Sequence, residues 1–230
     1  MPPRAPAPRL THFLCLPLLT TTSRPQLQSS LSAFRADLGG IPEAAVRPVG
    51  TLHLTLGVMS LLTAERVEQA LALLRSLNLR EMLEERIAGG GEAMAMARSG
   101  TPLRVTLRGL ESMQNPDKTS VLYAAPVDGD LRLQRFCGRL KEAFSAAELL
   151  VPDTRPLLLH ATIVNTVYVA GRGRSKGRLT IDAREVLERF EEHEWMSDVR
   201  LENVAICRMG ARKLDDGDEE YVVEGQVELP

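Results

Sequence analysis

Short apolar runs and longer amphipathic stretches alternate along the chain. In the short runs apolar and polar residues alternate one by one, as in strands with one buried face, whereas the longer stretches repeat an apolar residue every three or four positions, as helices do. This patterning predicts helices at 23–38, 64–86, 128–150 and 182–190, and strands at 11–19, 50–59, 101–113, 119–127, 156–169, 199–209 and 220–229. Several strands follow one another through short turns, so we expect a mixed α+β fold with largely antiparallel sheets.

Three stretches fall outside this pattern. Residues 1–9 are rich in proline and are predicted to be a disordered N-terminus. Residues 88–100 and 170–178 are rich in glycine and are predicted to be flexible loops. The rest of the chain, residues 10–230, is long enough for one sizeable domain or two small lobes, and the hydrophobic content of 44% is what a globular core requires.

Two of the predicted strands carry nearly the same motif. "LHLTLG" at 52–57 and "LHATIVN" at 159–165 each place a histidine and a threonine two residues apart inside an apolar run. Each of these strands follows a strand and a helix, so the order strand, helix, histidine strand occurs twice. Because side chains alternate across a strand, His53 and Thr55 share one face, His160 and Thr162 share one face, and aliphatic residues occupy the opposite faces.

Two such strands facing each other would bring two imidazoles and two hydroxyls to one cleft. A neutral histidine can accept a proton from an attacking oxygen, a protonated one can donate a proton to a leaving oxygen, and the hydroxyls can hydrogen-bond a phosphate. Histidine fits both roles because its ordinary pKa, about 6.5, lies close to neutral pH. The sequence does not assign the two roles, and it has no carboxylate cluster of the kind that a two-metal phosphodiesterase uses.

A single histidine-x-threonine (HxT) motif is weak evidence of a site. A histidine inside a strand is often one whose hydrogen bonds are satisfied by its neighbours, with no further role. Two copies at corresponding points of a repeated order favour a paired site, since a purely structural role leaves the matched polar residues of two apolar strands unexplained.

Composition narrows the class of protein. The formal net charge is −2, so the whole molecule gives no electrostatic reason for tight nonspecific binding to nucleic acid or membranes. No apolar run approaches the length of a membrane span, and the N-terminus lacks the apolar segment of a signal peptide. The three cysteines are far apart, without the spacing of a zinc site or a disulfide framework. We therefore expect a nuclear or cytoplasmic monomer without a metal, a cofactor or a membrane contact.

The paired HxT motifs, each followed by an aliphatic residue, resemble those of the two-histidine (2H) phosphoesterase superfamily. "THFLCLPL", "LHLTLGVMSLL", "NPDKTSVLYAAPV" and "LHATIVNT" are similar in order and spacing to one branch of it. That branch is represented by the A-kinase anchor protein 7 central domain and by the C-terminal part of activating signal cointegrator 1 complex subunit 1. The likeness covers most of residues 10–229.

The resemblance implies a bilobal fold with pseudo-twofold symmetry, in which two concave, largely antiparallel sheets line a central groove and helices cover the outer faces. It implies a metal-independent phosphodiesterase acting on RNA 3' ends, 2',3'-cyclic phosphates or 2'-5' linkages. Its catalytic residues would be His53, Thr55, His160 and Thr162. The alternative that it leaves open is a non-catalytic nucleotide- or RNA-binding module within a cointegrator-type transcription or repair complex.

Four further residues are weaker candidates for substrate binding. Tyr168 shares a face with His160 if the strand stays regular, and so would border the groove. Tyr123 fits either stacking on a base or packing in the core. Arg172 and Arg174 belong to a loop with four positive charges in seven residues, which suits either an RNA backbone or a solvated surface.

Overall fold

The computed structural model describes residues 8–84, 100–169, 179–215 and 217–230. The predicted loop at 170–178, with Arg172 and Arg174, therefore lies outside the described residues, as do residues 1–7 and all but Gly100 of the predicted loop at 88–100.

The described residues form ten strands and five α-helices. The strands are β1 (His12–Pro17), β2 (His53–Met59), β3 (Arg104–Ser112), β4 (Val121–Pro126), β5 (Ala161–Asn165), β6 (Glu194–Arg200), β7 (Asn203–Arg208), β8 (Arg212–Lys213), β9 (Glu219–Glu220) and β10 (Val223–Glu228). The helices are α1 (Ser23–Ala36), α2 (Ala64–Ser76), α3 (Leu79–Glu84), α4 (Arg132–Ala146) and α5 (Arg184–Arg189).

Eight of the strands make one antiparallel sheet in the order β10-β7-β1-β2-β5-β4-β3-β6, and β8 pairs with β9 in a small ribbon. The large sheet has two halves of four strands, and each half contains one copy of the repeat, β1-α1-β2 or β4-α4-β5. The halves meet where Leu54 of β2 pairs with Ala161 of β5. The predicted mixed α+β, largely antiparallel fold is confirmed, and the two expected sheets are continuous through the histidine strands.

The helices cover the face of the sheet that lies opposite the histidines. Leu54, Ala161 and Ile163 are fully buried and belong to one large core cluster together with apolar residues of the helices. The buried stripes of α1 (Leu27, Leu31 and Phe34) and of α4 (Leu133, Phe136, Cys137, Leu140 and Phe144) show the helical spacing that the sequence predicts. This core fixes the backbones of β2 and β5 on the helix-covered face, and the histidines lie on the opposite face.

Local hydrogen bonds and one break define the helices α1, α2 and α3. The Thr63 side chain accepts a hydrogen bond from the backbone N–H of Arg66 and so caps α2. The long predicted helix breaks near Asn78, where α2 gives way to α3. Ser23 is the first residue of α1, and its hydroxyl donates to the Leu18 carbonyl.

Two strand predictions are wrong. The strand expected at 156–169 is confined to Ala161–Asn165 and is followed by a single 3-10 turn, Thr166–Tyr168, because the Asn165 side chain accepts a hydrogen bond from the Val167 N–H. The strand expected at 199–209 is split between β6 and β7. Strand β6 begins well before that range, and its fully buried Trp195 donates to the Gly109 carbonyl.

Candidate active site

The two HxT motifs lie side by side at the junction between the halves of the sheet. Leu54 pairs with Ala161 in antiparallel register. In such a pair the flanking residues face each other in turn, so His53 lies across from Thr162 and Thr55 lies across from His160. All four side chains are half-buried, whereas Leu54 and Ala161 are fully buried on the other face. Strand alternation therefore places these four side chains on the face of the junction opposite the buried Leu54 and Ala161.

Both imidazoles are oriented by the same backbone contact. His53 Nδ1 lies 2.7 Å from the Thr51 carbonyl oxygen, and His160 Nδ1 lies 2.9 Å from the Leu158 carbonyl oxygen. A carbonyl oxygen only accepts hydrogen bonds, so each Nδ1 must carry the proton and donate it. In the neutral form of each ring, Nε2 then has the free lone pair, which is the atom available for proton transfer.

The surroundings of His53 favour its neutral form. Burial is the main cause that lowers its pKa, to about 4, and the positive charges of His160 and Arg47 lower it further, while the hydrogen bond to the Thr51 carbonyl acts in the opposite direction. At neutral pH His53 is therefore an unprotonated imidazole that can accept a proton.

Aromatic rings pack against each histidine. The His53 ring lies 4.8 Å from the Phe13 ring and 5.2 Å from the Tyr221 ring, between ring centroids. On the other half of the sheet the Tyr123 ring lies edge-on to His160, at 5.3 Å. The Tyr123 hydroxyl donates to Glu111 at 2.7 Å, and burial together with this carboxylate raises its pKa to about 12. Because Tyr123 is only 5% exposed, it is a wall of the site rather than an open platform for a base.

Tyr168 reaches the His53 side of the groove, though not by the expected route. The strand ends before it, so the parity argument does not apply; the 3-10 turn places its ring against a guanidinium instead. The Arg47 Cζ atom lies 3.6 Å from the centroid of the Tyr168 ring. Tyr168 and Arg47 both interact with Tyr221, whose pKa burial raises to about 12.

Sequence reasoning missed Arg47, Tyr221 and Phe13. Arg47 stands alone in "AAVRPVG", a stretch without helical or strand periodicity, and only its isolation among apolar residues and prolines could have singled it out. Tyr221 is near the other end of the chain and comes close to His53 because the β9 segment packs on the turn before β2, where the Gly50 N–H donates to Asp218. Such long-range proximity leaves no local signal in the sequence.

A cavity of about 620 Å³ lies between β3, β4 and α5. Four carboxylates border it, from Glu111, Glu188, Glu191 and Glu192, against the single guanidinium of Arg108. Their charge would repel a phosphate, so this cavity is poorly suited to a phosphate ligand.

Neither a metal cluster nor a membrane helix is found in the part of the chain that the structure describes. Within these ranges no group of three or more histidine, cysteine, aspartate or glutamate side chains could hold a metal ion. No helix in the same residues is long and apolar enough to cross a bilayer. All three cysteines are free thiols.

Solved structures with similar folds include two complexes of E. coli LigT. The complex with 3'-AMP gives a TM-score of 0.53 at 16% sequence identity, with 96% of this chain and 98% of that chain covered. The complex with NADP+ gives a TM-score of 0.52 at 16% identity, with 97% and 99% covered. At this identity the likeness concerns the fold alone, and it places the chain in the fold class of LigT.

Within that class, the chain belongs to the family described as the AKAP7 2'5' RNA ligase-like domain, whose model matches residues 10–229. It is 31% identical over 174 residues to activating signal cointegrator 1 complex subunit 1 of Mus musculus, which covers 68% of this chain and 45% of that protein. An uncharacterized protein of Schizosaccharomyces pombe is 30% identical over 99 residues, or 43% of this chain and 44% of the yeast protein. The matches thus span less than half the length of either relative.

Proposed function

We propose that the chain is a metal-independent phosphodiesterase of RNA or nucleotide substrates, with one acid–base histidine and one phosphate-binding threonine from each half of the sheet. The candidate bonds are 2',3'-cyclic phosphates, RNA 3' ends and 2'-5' linkages. The observation that carries the proposal is the matched pair of imidazoles, each with Nδ1 donating to the carbonyl two residues earlier and with Nε2 left for proton transfer.

The two histidines take different roles in this proposal. His53 is the base, because burial and the neighbouring positive charges hold its pKa near 4 and keep it neutral. His160, on the more open side of the same face, is the acid. Thr55 and Thr162 donate hydrogen bonds to the oxygens of the phosphate that lies between the rings.

For a 2',3'-cyclic phosphate the step balances without a metal. Water attacks phosphorus while His53 accepts its proton, and the bond from phosphorus to one ribose oxygen breaks while His160 donates a proton to that oxygen. A phosphomonoester and a free ribose hydroxyl result, and exchange with solvent restores both histidines.

A substrate screen tests the proposal. Oligonucleotides with a 3'-hydroxyl, a 3'-phosphate, a 2',3'-cyclic phosphate or an internal 2'-5' linkage would be incubated with the protein in EDTA and analysed by mass spectrometry. We expect at least one substrate to gain one water or lose nucleotides. No product from any of the four would contradict the proposal.

A second candidate function is a nucleotide- or RNA-binding module inside a protein complex. The likeness to a mouse cointegrator complex subunit favours it. Titration with 3'-AMP and short RNAs separates the two functions, if the RNA is recovered afterwards and checked for cleavage by mass spectrometry. Binding without any product over a long incubation would favour the module.

A further inference from the structure

Arg47 is a buried cation next to the candidate site, and the structure gives it no counter-ion. The residue is only 4% exposed, and its Nη2 atom is buried without a hydrogen-bond partner. No carboxylate within the described ranges forms an ion pair with it. A buried guanidinium with an unused N–H is costly to the fold unless something else binds it.

The backbone around Arg47 fixes where this charge lies. The Arg47 N–H donates to the Ile163 carbonyl at 2.8 Å, and the neighbouring Val46 forms an isolated bridge with Val164. Ile163 is one residue past Thr162, so Arg47 lies beyond the row in which His53 and Thr162 face each other. The positive charge therefore belongs to the His53 end of the groove, whereas His160 lies on the far side of the Leu54–Ala161 pair.

Two tyrosines hold the guanidinium in place there. The Arg47 Cζ atom lies over the Tyr168 ring. The guanidinium also interacts with the hydroxyl of Tyr221, whose ring packs beside His53. Tyr168 is 45% exposed, so a ligand at the surface can reach the tyrosine that lies against the guanidinium. A planar guanidinium stacked on an aromatic ring, with an unused N–H, is well suited to binding phosphate oxygens.

We propose that Arg47, with Tyr168 and Tyr221, forms a second phosphate subsite that binds the phosphate adjacent to the one held between the histidines. This inference rests on the proposed function, because it assumes that the first phosphate lies at the two HxT motifs. That first phosphate already has two imidazoles and two hydroxyls around it, so the additional cation at one end is best placed for its neighbour. The preferred substrate would then be an oligonucleotide with at least two consecutive phosphates.

Binding of a trinucleotide with neutralised linkages tests the subsite. The ligand is a 2'-O-methyl trinucleotide, which has two phosphates; in two derivatives one linkage is a neutral methylphosphonate, and in a third both are. For the wild-type protein we expect each single replacement to weaken binding about tenfold or more, since a hydrogen-bonded charge pair is lost. The doubly neutral ligand should bind weakest.

The Arg47→Met variant should lose this preference. One phosphate then suffices, because the trinucleotide can shift to place either phosphate between the histidines, so parent and singly neutral ligands should bind within about twofold of each other. Arg75→Met is the matched control, since Arg75 is 59% exposed on α2 and its loss changes the net charge equally. That control should keep the wild-type preference.

Stability provides a second readout. If Arg47 serves a ligand, Arg47→Met without ligand should unfold at the same denaturant concentration as wild type or at a higher one, because a buried unpaired charge is removed. A marked loss of stability would instead assign Arg47 to the fold and overturn the inference.

Three binding outcomes are distinguishable. Equal affinity of wild type for the parent and the singly neutral ligands would overturn the second subsite while leaving the proposed function intact. So would an Arg47→Met variant that retains the tenfold preference. Failure of the wild-type protein to bind even the parent trinucleotide would also overturn the second subsite, whereas the proposed function is contradicted only if the substrate screen yields no product.

Discussion

At the scale of single residues, the chemistry of the candidate site depends on which imidazole nitrogens carry protons. The backbone carbonyls of Thr51 and Leu158 determine the tautomer of each imidazole, and the environment of His53 determines its charge. His53 is surrounded by the positive charge of Arg47, by His160 across the groove and by the phenol of Tyr221, whose own raised pKa keeps it neutral. None of these groups favours a protonated His53.

The protonation of His53 can be measured by NMR titration of the four histidine side chains. We expect one imidazole, absent from the spectrum of His53→Gln, to titrate near pH 4 instead of at its ordinary pKa of about 6.5. Arg47→Met should raise that midpoint, because a nearby positive charge is removed. A His53 midpoint at or above 6.5 would contradict the assignment of His53 as the base.

The same lowered pKa makes stability depend on pH. The unfolded chain protonates His53 near pH 6.5, whereas the folded chain does so only near pH 4. The contribution of neutral His53 to stability is therefore complete above about pH 6.5 and is lost as the pH falls towards 4. In His53→Gln, urea unfolding midpoints should fall less over that interval than in wild type; an identical fall in both proteins would count against the effect.

At the scale of elements, β2 and β5 position the chemistry because their other faces are embedded in the core. The pairing of Leu54 with Ala161 is the direct link between the two halves of the sheet, and both residues are fully buried. The distance between the histidines is therefore set by packing on the opposite side of the sheet.

Truncating Leu54 should damage both stability and function. Leu54→Ala leaves a cavity behind the site and should cost about 2–5 kcal/mol of unfolding free energy. Denaturant unfolding measures this cost, and activity assays at a temperature where the variant is folded measure the loss of alignment. The control is Leu62→Ala, at a residue that is 64% exposed, which should change stability by no more than about 0.5 kcal/mol. Equal effects of the two substitutions would contradict this account.

Only part of the candidate site could be predicted from the periodicity of the sequence. Alternation along "LHLTLG" and "LHATIVN" placed each histidine and threonine on one face correctly, because a two-residue period depends only on local backbone geometry. Most of strand β6 was not predicted, because its residues follow a glutamate-rich helix and its pattern is interrupted at Asp198, whose backbone is left-handed. Arg47 and Tyr221 join the site through tertiary packing alone, which no periodicity encodes.

At the scale of the whole molecule, the two halves of the sheet contribute equivalent residues to the candidate site. The residues around them differ between the halves. Each half contributes a histidine, a threonine and an aromatic ring against the histidine. Arg47 lies near His53 and not near His160, so its charge makes the two ends of the candidate site different. Under the proposed function, a substrate with unequal ends would bind in one orientation.

Metal removal tests whether turnover depends on a bound divalent ion. Because the proposed mechanism uses only imidazoles and hydroxyls, turnover in EDTA should equal turnover in Mg²⁺, Mn²⁺ or Zn²⁺ to within about twofold. A rate that collapses in EDTA and returns on adding one of these ions would contradict the metal-independent mechanism.

The most direct measurement compares turnover of the best substrate from the screen by wild type, His53→Ala, His160→Ala and the double variant. Circular dichroism would verify that each is folded, and His193→Gln, whose ring packs on Trp195 away from the groove, is the control. We predict that either single substitution lowers kcat by at least about a hundredfold, that the double variant is little worse, and that the control is unaffected. Turnover by the double variant at the wild-type rate would contradict the claim that this histidine pair is the catalytic centre.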